Sequence, residues 1–364
     1  MRLRFNLVFL GIVLIMGSLK SQDLHYSYYQ FAPLNVNPAF AGAFNGSYRI
    51  NGIFSDKQAS VTPRPFRTFS LSADAPIIRG IRKQDWIGVG LEMDLVGNSG
   101  LAFDFNDANQ RVAAPGSFQS WTFMRVGLAY HLSLDTKQTN ILTLGGQFSN
   151  GNRGYLKLTD ADGRVNPQTG RKDQDINAFN SQSGGSGGSQ DPNDRITTGH
   201  KDVNIGVLYN SKQKDSDLKL GVSVEGVFNP KLGFNTLDKK YFGLNVHGEY
   251  DVAIDKKVNI VPGFYYYSLG PANALNVNTH VVYKLDPEKD FKVSGGLGLR
   301  NLRAVILYAG AQFKDLKVGL AYDIDISTLS QASNSVGGIE LVASYMGKIY
   351  KKPKPKPIIF CPRL

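Results

Sequence analysis

The sequence has a single cysteine, Cys361, so no disulfide can form within the chain. It has no apolar run long enough for a membrane-spanning helix. The run Leu7–Met16 falls well short of the ~20 residues such a helix needs. None of the five histidines, His25, His131, His200, His247 and His280, stands in zinc-ligand spacing. There is no G-x-S-x-G nucleophile elbow. Gly88-Val89-Gly90 lies inside a strand-like stretch with no helix after it, so a nucleotide loop is unsupported. Asp160-Ala161-Asp162-Gly163 lacks the later glutamate of a calcium loop and reads as a plain turn. The expectation is a protein without catalytic residues, metal or cofactor. Net charge is +11, but the basic residues are scattered except near the C-terminus, and no nucleic-acid-binding signature accompanies them. No nucleic-acid partner is expected.

What is present is glycine and aromatics, with 39 Gly, 17 Tyr and 21 Phe, laid out with a period of two. Lys317, Gly319, Ala321, Asp323 and Asp325 alternate with Leu316, Val318, Leu320, Tyr322 and Ile324. Gly88, Gly90, Glu92 and Asp94 alternate with Val89, Leu91, Met93 and Leu95. One face is apolar, the other rich in glycine, amides and charge. A soluble sandwich could alternate in the same way. The length of the strands, the charge on the polar face and a preceding secretion signal favour a membrane barrel. The signal is Met1–Ser21, with Arg2 and Arg4 before the apolar run and cleavage expected near Ser21-Gln22. No cysteine follows it, so a lipoprotein is excluded.

The expected fold is therefore all-β: a transmembrane antiparallel β-barrel of about 14 strands. Its parts are a signal peptide (1–21), an N-terminal periplasmic lead-in (22–43), an outer-membrane barrel (44–350) with an extracellular insertion (151–200), and a basic, proline-rich periplasmic tail (351–364). Within the insertion, Tyr155 to Leu158 should run into a hairpin turn at Asp160–Gly163. The inward charges mix both signs, among them Arg49, Glu92, Asp94, Arg125, Arg300, Asp323 and Glu340. Such a lumen favours a narrow or plugged barrel. A barrel of this width needs more than side chains to fill it, and the insertion and the N-terminal arm are both candidates.

The lead-in holds the most distinctive stretch, Tyr28–Gly42, with a turn at Asn37-Pro38 and with Pro33 restricting its neighbour to extended geometry, both flanked by Tyr28, Tyr29, Phe31 and Phe40. It reads as an ordered segment that docks on something larger, or that packs on its own fold. Asn37-Pro38-Ala39-Phe40-Ala41-Gly42 resembles the opening motif of the PorP/SprF family of the type IX secretion and gliding machinery. The ending Phe360-Cys361-Pro362-Arg363-Leu364 resembles that family's Cys-Pro-Arg-aromatic ending, with Leu364 in the aromatic place. The resemblance implies a cell outer membrane location and a non-enzymatic role in secreting or anchoring a surface adhesin. Its implied partners are a secreted type IX cargo or adhesin domain, outer-membrane lipid, and periplasmic ring or lipoprotein components. Aromatics in the outer loops, Phe103, Phe105, Tyr155, Phe228 and Phe234, are the expected cargo contacts. Asn37, Pro38, Lys354, Lys356, Ile359, Phe360, Cys361, Pro362 and Arg363 are the expected periplasmic docking residues. The alternative function is an outer-membrane pore for small solutes.

Overall fold

The computed structural model describes residues 26–57, 60, 66–82, 84–97, 103–105, 111–113, 119–156, 195–228, 241–270, 272–286, 289–328 and 330–349. For 66, 103–105, 111–113, 119–120, 153–156, 195–198 and 332 only the backbone is described. The strands in chain order are β1 (Tyr48–Lys57), β2 (Phe66–Arg79), β3 (Trp86–Gly97), β4 (Phe103–Phe105), β5 (Arg111–Ala113), β6 (Gln119–Ser133), β7 (Asn140–Leu156), β8 (Arg195–Lys212), β9 (Ser216–Glu225), β10 (Gly243–Ala253), β11 (Val258–Leu269), β12 (Ala272–Asp286), β13 (Phe291–Arg300), β14 (Ala304–Phe313), β15 (Leu316–Asp325) and β16 (Val336–Gly347). All but β4 and β5 form one closed antiparallel barrel of 14 strands, as the period-two pattern predicts. β1 closes it against β16 from Tyr48↔Gly347 to Lys57↔Gly338. β4 and β5 pair only with each other, and β3 passes them to pair with β6.

The burial pattern is that of a soluble protein turned inside out. Leu91, Met124, Val126, Leu128 and Leu297 point outward and are exposed, while Asn51, Ser72, Asp74, Glu92 and Asp94 point inward and are buried. A sandwich would bury the first set, so the alternation belongs to a barrel wrapped in lipid. Leu320, between Ala309 and Leu341 on the outer face of β15, gives a direct test. Leu320→Arg should cost about 2–4 kcal/mol of folding stability in lipid vesicles, measured by urea titration. Its neighbour Ala321 faces the other way, fully buried against Tyr26 and Tyr28.

Connections sort by rim. Those at 134–139, 213–215, 254–257 and 314–315 are short and share a rim with the two ends of the barrel. There Ser47 donates its N–H to the Gly347 carbonyl (2.8 Å), and its hydroxyl accepts from the Ile349 N–H (2.9 Å). The Asp135 carboxylate caps the 134–139 turn, accepting from the Thr139 hydroxyl and from the backbone N–H groups of Lys137, Thr139 and Asn140. Bonding to Thr139 above all holds its pKa well below the usual carboxylate range. The longer connections, including 98–118 and 157–194, fall on the opposite rim. This is the asymmetry of outer-membrane barrels, whose short turns face the periplasm. We call the two ends the terminal rim and the loop rim.

One expectation about the insertion needs correction. Residues 151–156 and 195–200 were expected to lie in it, but they continue β7 and β8, paired as far as Leu156↔Arg195. The polar run Ser149-Asn150-Gly151-Asn152 reads locally as a turn, yet the ladder carries on through it. At about 3.3 Å per residue these strands are far longer than an apolar band of ~25 Å requires, so the hairpin projects past the loop rim. The Asp160–Gly163 turn, the segment 180–193, the signal peptide and the tail 351–364 lie outside the described residues.

Candidate functional site

The segment expected as a periplasmic lead-in lies inside the barrel. Tyr26, Ser27, Tyr28, Tyr29, Ala32, Leu34, Val36, Asn37, Ala39 and Ala41 are all buried, and each apolar core cluster among the described residues contains at least two of them. The sequence dictates the compact path. Pro33 begins one helical turn, Pro33–Val36, and Pro38 begins another, Pro38–Phe40, each using the φ that proline fixes in advance. Asn37 caps the second turn, its Oδ1 accepting from the Ala39 N–H at 2.9 Å. Gly42, at φ +73°, turns the chain toward β1. The chain thus descends from the loop-rim half of the lumen to the terminal rim.

A strandless backbone inside a lumen must find hydrogen-bond partners on the wall, because water is largely excluded. Near the loop rim, Glu340 accepts the N–H groups of Ser27 and Tyr28 on its two oxygens, both at 2.9 Å. The Ser27 carbonyl accepts from the Tyr308 hydroxyl (2.9 Å) and Asn276 Nδ2 (3.2 Å). The Ser27 hydroxyl donates to Asp323 (2.9 Å) and accepts from Arg300 (2.8 Å), and Arg300 also pairs with Asp323 at 2.7 Å. The Tyr26 hydroxyl reaches Asp94, which with Glu92 holds Arg125. Midway down, Asn37 Nδ2 donates to the carbonyls of Val207 (3.0 Å) and Val222 (3.3 Å) and to His247 Nε2 (3.1 Å). The Ser223 hydroxyl donates to the Val36 carbonyl at 2.7 Å. At the terminal rim, His131 Nε2 donates to the Ala41 carbonyl (2.8 Å) and Trp86 Nε1 to the Gly42 carbonyl (3.0 Å). Asp74 accepts the Gly42 N–H at 2.8 Å and binds Arg49, which in turn donates to the Phe40 carbonyl.

Aromatic packing fills what the polar contacts leave. Tyr28 stacks on His280 and meets Tyr308 edge-on, with centroids 5.4 and 4.9 Å away. Tyr29 stacks on Tyr265, and Phe40 lies 5.1 Å from His247. Two wall glycines make the close approach possible. A Cβ at Gly88 would lie 2.0 Å from the Ala41 oxygen, and one at Gly145 would lie 2.3 Å from the Ala39 nitrogen. The inward charges read from the sequence are thus brought together as a clamp around a plug. Among the described residues they form no cluster of three or more His, Cys, Asp or Glu that could hold a metal ion.

The other expected site residues fare differently. Asn37 and Pro38, expected at a docking surface, are buried in the lumen, because the wall carbonyls satisfy an amide that a surface would leave to water. Phe103 and Phe105 are on the separate β4–β5 hairpin, and Tyr155 is on the projecting part of β7. Phe228, just beyond β9, is 68% exposed. Phe234, Lys354, Lys356, Ile359, Phe360, Cys361, Pro362 and Arg363 lie outside the described residues. Three residues that sequence reasoning did not single out, Ser27 of the plug and Asn276 and Tyr308 of the wall, join the expected inward charges Glu340, Arg300 and Asp323 in the upper clamp.

Comparison with known proteins gives one family match. The profile of the family described as Type IX secretion system membrane protein PorP/SprF matches residues 18–345. No curated protein sequence matches. Among solved structures, a "TodX deltaS2S3 mutant monoaromatic hydrocarbon channel" is similar over 87% of this chain and 94% of its own, at 10% identity and a TM-score of 0.51. The toluene transporter TodX of Pseudomonas putida is similar over 90% and 99%, at 9% identity and a TM-score of 0.49. At such identities the likeness is one of fold alone.

Proposed function

This chain belongs to the PorP/SprF family of type IX secretion system membrane proteins, and from that premise we propose that it is a closed outer-membrane platform. In this reading it retains a secreted surface protein at its loop rim and contacts periplasmic machinery at its terminal rim. The observation that carries the reading is the lumen filled by Tyr26–Gly42 and clamped at both ends. A barrel that is closed by its own chain offers its rims for recognition, not its bore. The competing reading, a pore for small solutes, requires that plug to leave.

Exposed Phe228 and the projecting β7–β8 hairpin give the loop rim a surface on which a cargo domain can seat. Deleting 155–195 should release cargo into the medium while the barrel stays inserted, scored by surface labelling and by heat-modifiable migration. Cargo retained at wild-type level would remove the hairpin from the reading. At the other rim the described chain ends at Ile349, and the sequence beyond it carries Lys351, Lys352, Lys354 and Lys356 among prolines. Truncation after Tyr350 should lose copurifying periplasmic proteins without lowering the amount of barrel. Loss of the barrel itself would assign the tail to folding or insertion.

A further inference from the structure

The plug does not fill the lumen evenly. On its terminal-rim side it leaves a cavity of about 230 Å³. The plug supplies an apolar floor of Phe31, Pro33, Val36 and Phe40, and the wall supplies Arg49, Lys219, Glu249 and Lys317. Most of these charges are already engaged. Arg49 is bound by Asp74, and Lys219 by Glu249 at 2.9 Å. Lys317 makes no hydrogen bond or ion pair among the described residues.

We propose that this vestibule is an anchor pocket for a peptide segment of a periplasmic partner, one that presents an apolar side chain beside a carboxylate. The two open features match the two groups of such a segment: the floor takes the side chain and Lys317 takes the carboxylate. The volume is below the ~300–1,000 Å³ of pockets that enclose a whole small ligand, and suits one anchoring residue of a larger partner. The chain's own tail is a poor occupant, since its four lysines would meet Lys219 and Lys317 with like charge. The proposal rests on the reading that the terminal rim faces periplasmic machinery. The tail truncation tests that reading separately.

The test uses the full chain in detergent and a short fluorescein-labelled peptide of Phe and Glu residues in a Gly-Ser background, followed by fluorescence anisotropy. The peptide should bind, and binding should weaken as NaCl is raised. Lys317→Met keeps the apolar stem and breaks no hydrogen bond or ion pair among the described residues, so the barrel should migrate normally while affinity falls about tenfold or more and most of the salt dependence disappears. Absence of binding, equal binding of a Phe/Lys peptide, or an unchanged affinity in Lys317→Met would each overturn the proposal. Competition by free phenylpropionate as effective, mole for mole, as the unlabelled peptide would assign the cavity to a small carboxylate and overturn it as well.

Discussion

Deleting residues 26–41 is expected to convert a closed barrel into a conducting one. The strand ladder closes through β1–β16 pairing and needs no plug residue, so the deleted chain should still insert. The lumen it leaves is lined by Glu340, Asp323, Asn276, Asn245 and His247, which in the intact chain face the plug or the residues that hold it. Freed of the plug, these groups would hydrate. Conductance of the purified protein in a planar bilayer should rise at least about tenfold over the full chain, because a 14-strand bore is too wide for side chains alone to seal. Cargo retention should change little if the loop rim does the holding. A deletion variant as tight as the full chain would mean that something other than the plug closes the barrel.

A contrast between neighbouring glycines has the next largest expected effect. Gly145 and Gly146 are adjacent in β7 and face opposite sides of the wall. A Cβ on Gly145 would meet the backbone of Pro38 and Ala39 at 2.3 to 2.5 Å, whereas one on Gly146 meets nothing within 4 Å. Backbone cannot yield as a flexible side chain can. Gly145→Val should therefore cost the seated plug about 1–3 kcal/mol or unseat it altogether. The readout is new proteolytic cleavage within 26–42 together with raised conductance. Gly146→Val, whose side chain points to lipid, should behave as wild type. The reverse pattern would mean that β7 is threaded one residue out of register.

The barrel was legible in the sequence because each strand states its own two faces. Leu91 and Glu92 need no knowledge of the rest of the chain to be assigned to lipid and lumen. The mixed inward charges favoured a narrow or plugged bore, and the structure places Tyr26–Ala41 inside it. The destination of Tyr28–Gly42 was legible only as an alternative, the N-terminal arm being one of two candidates to fill the barrel beside a docking role in the periplasm. A short run of prolines and aromatics says that it must bury itself, but its partners are side chains as distant in sequence as Glu340 and Asp323. The motif Asn37–Gly42 marked the right segment without showing that Asn37 would spend its amide on the carbonyls of Val207 and Val222. A better signal lay in the wall. Gly88 and Gly145 sit where a lumen-facing side chain should be, and small residues at such places mark a backbone passing close by. The projecting hairpin was missed for the opposite reason, since its polar residues resemble a turn and only the pairing partner keeps them in a strand.

Hydrogen exchange of the amides from Tyr28 to Gly42, read by mass spectrometry on the full chain in detergent, tests the central claim most directly. The N–H groups of Tyr28 and Gly42 are bound to buried Glu340 and Asp74, and those of Ala32, Val36, Asn37, Ala39 and Ala41 are closed within turns inside the lumen. Protection of this segment should match that of the barrel strands and persist for hours. Exchange within seconds, at the rate of an unstructured peptide, would contradict a clamped plug and with it the closed platform.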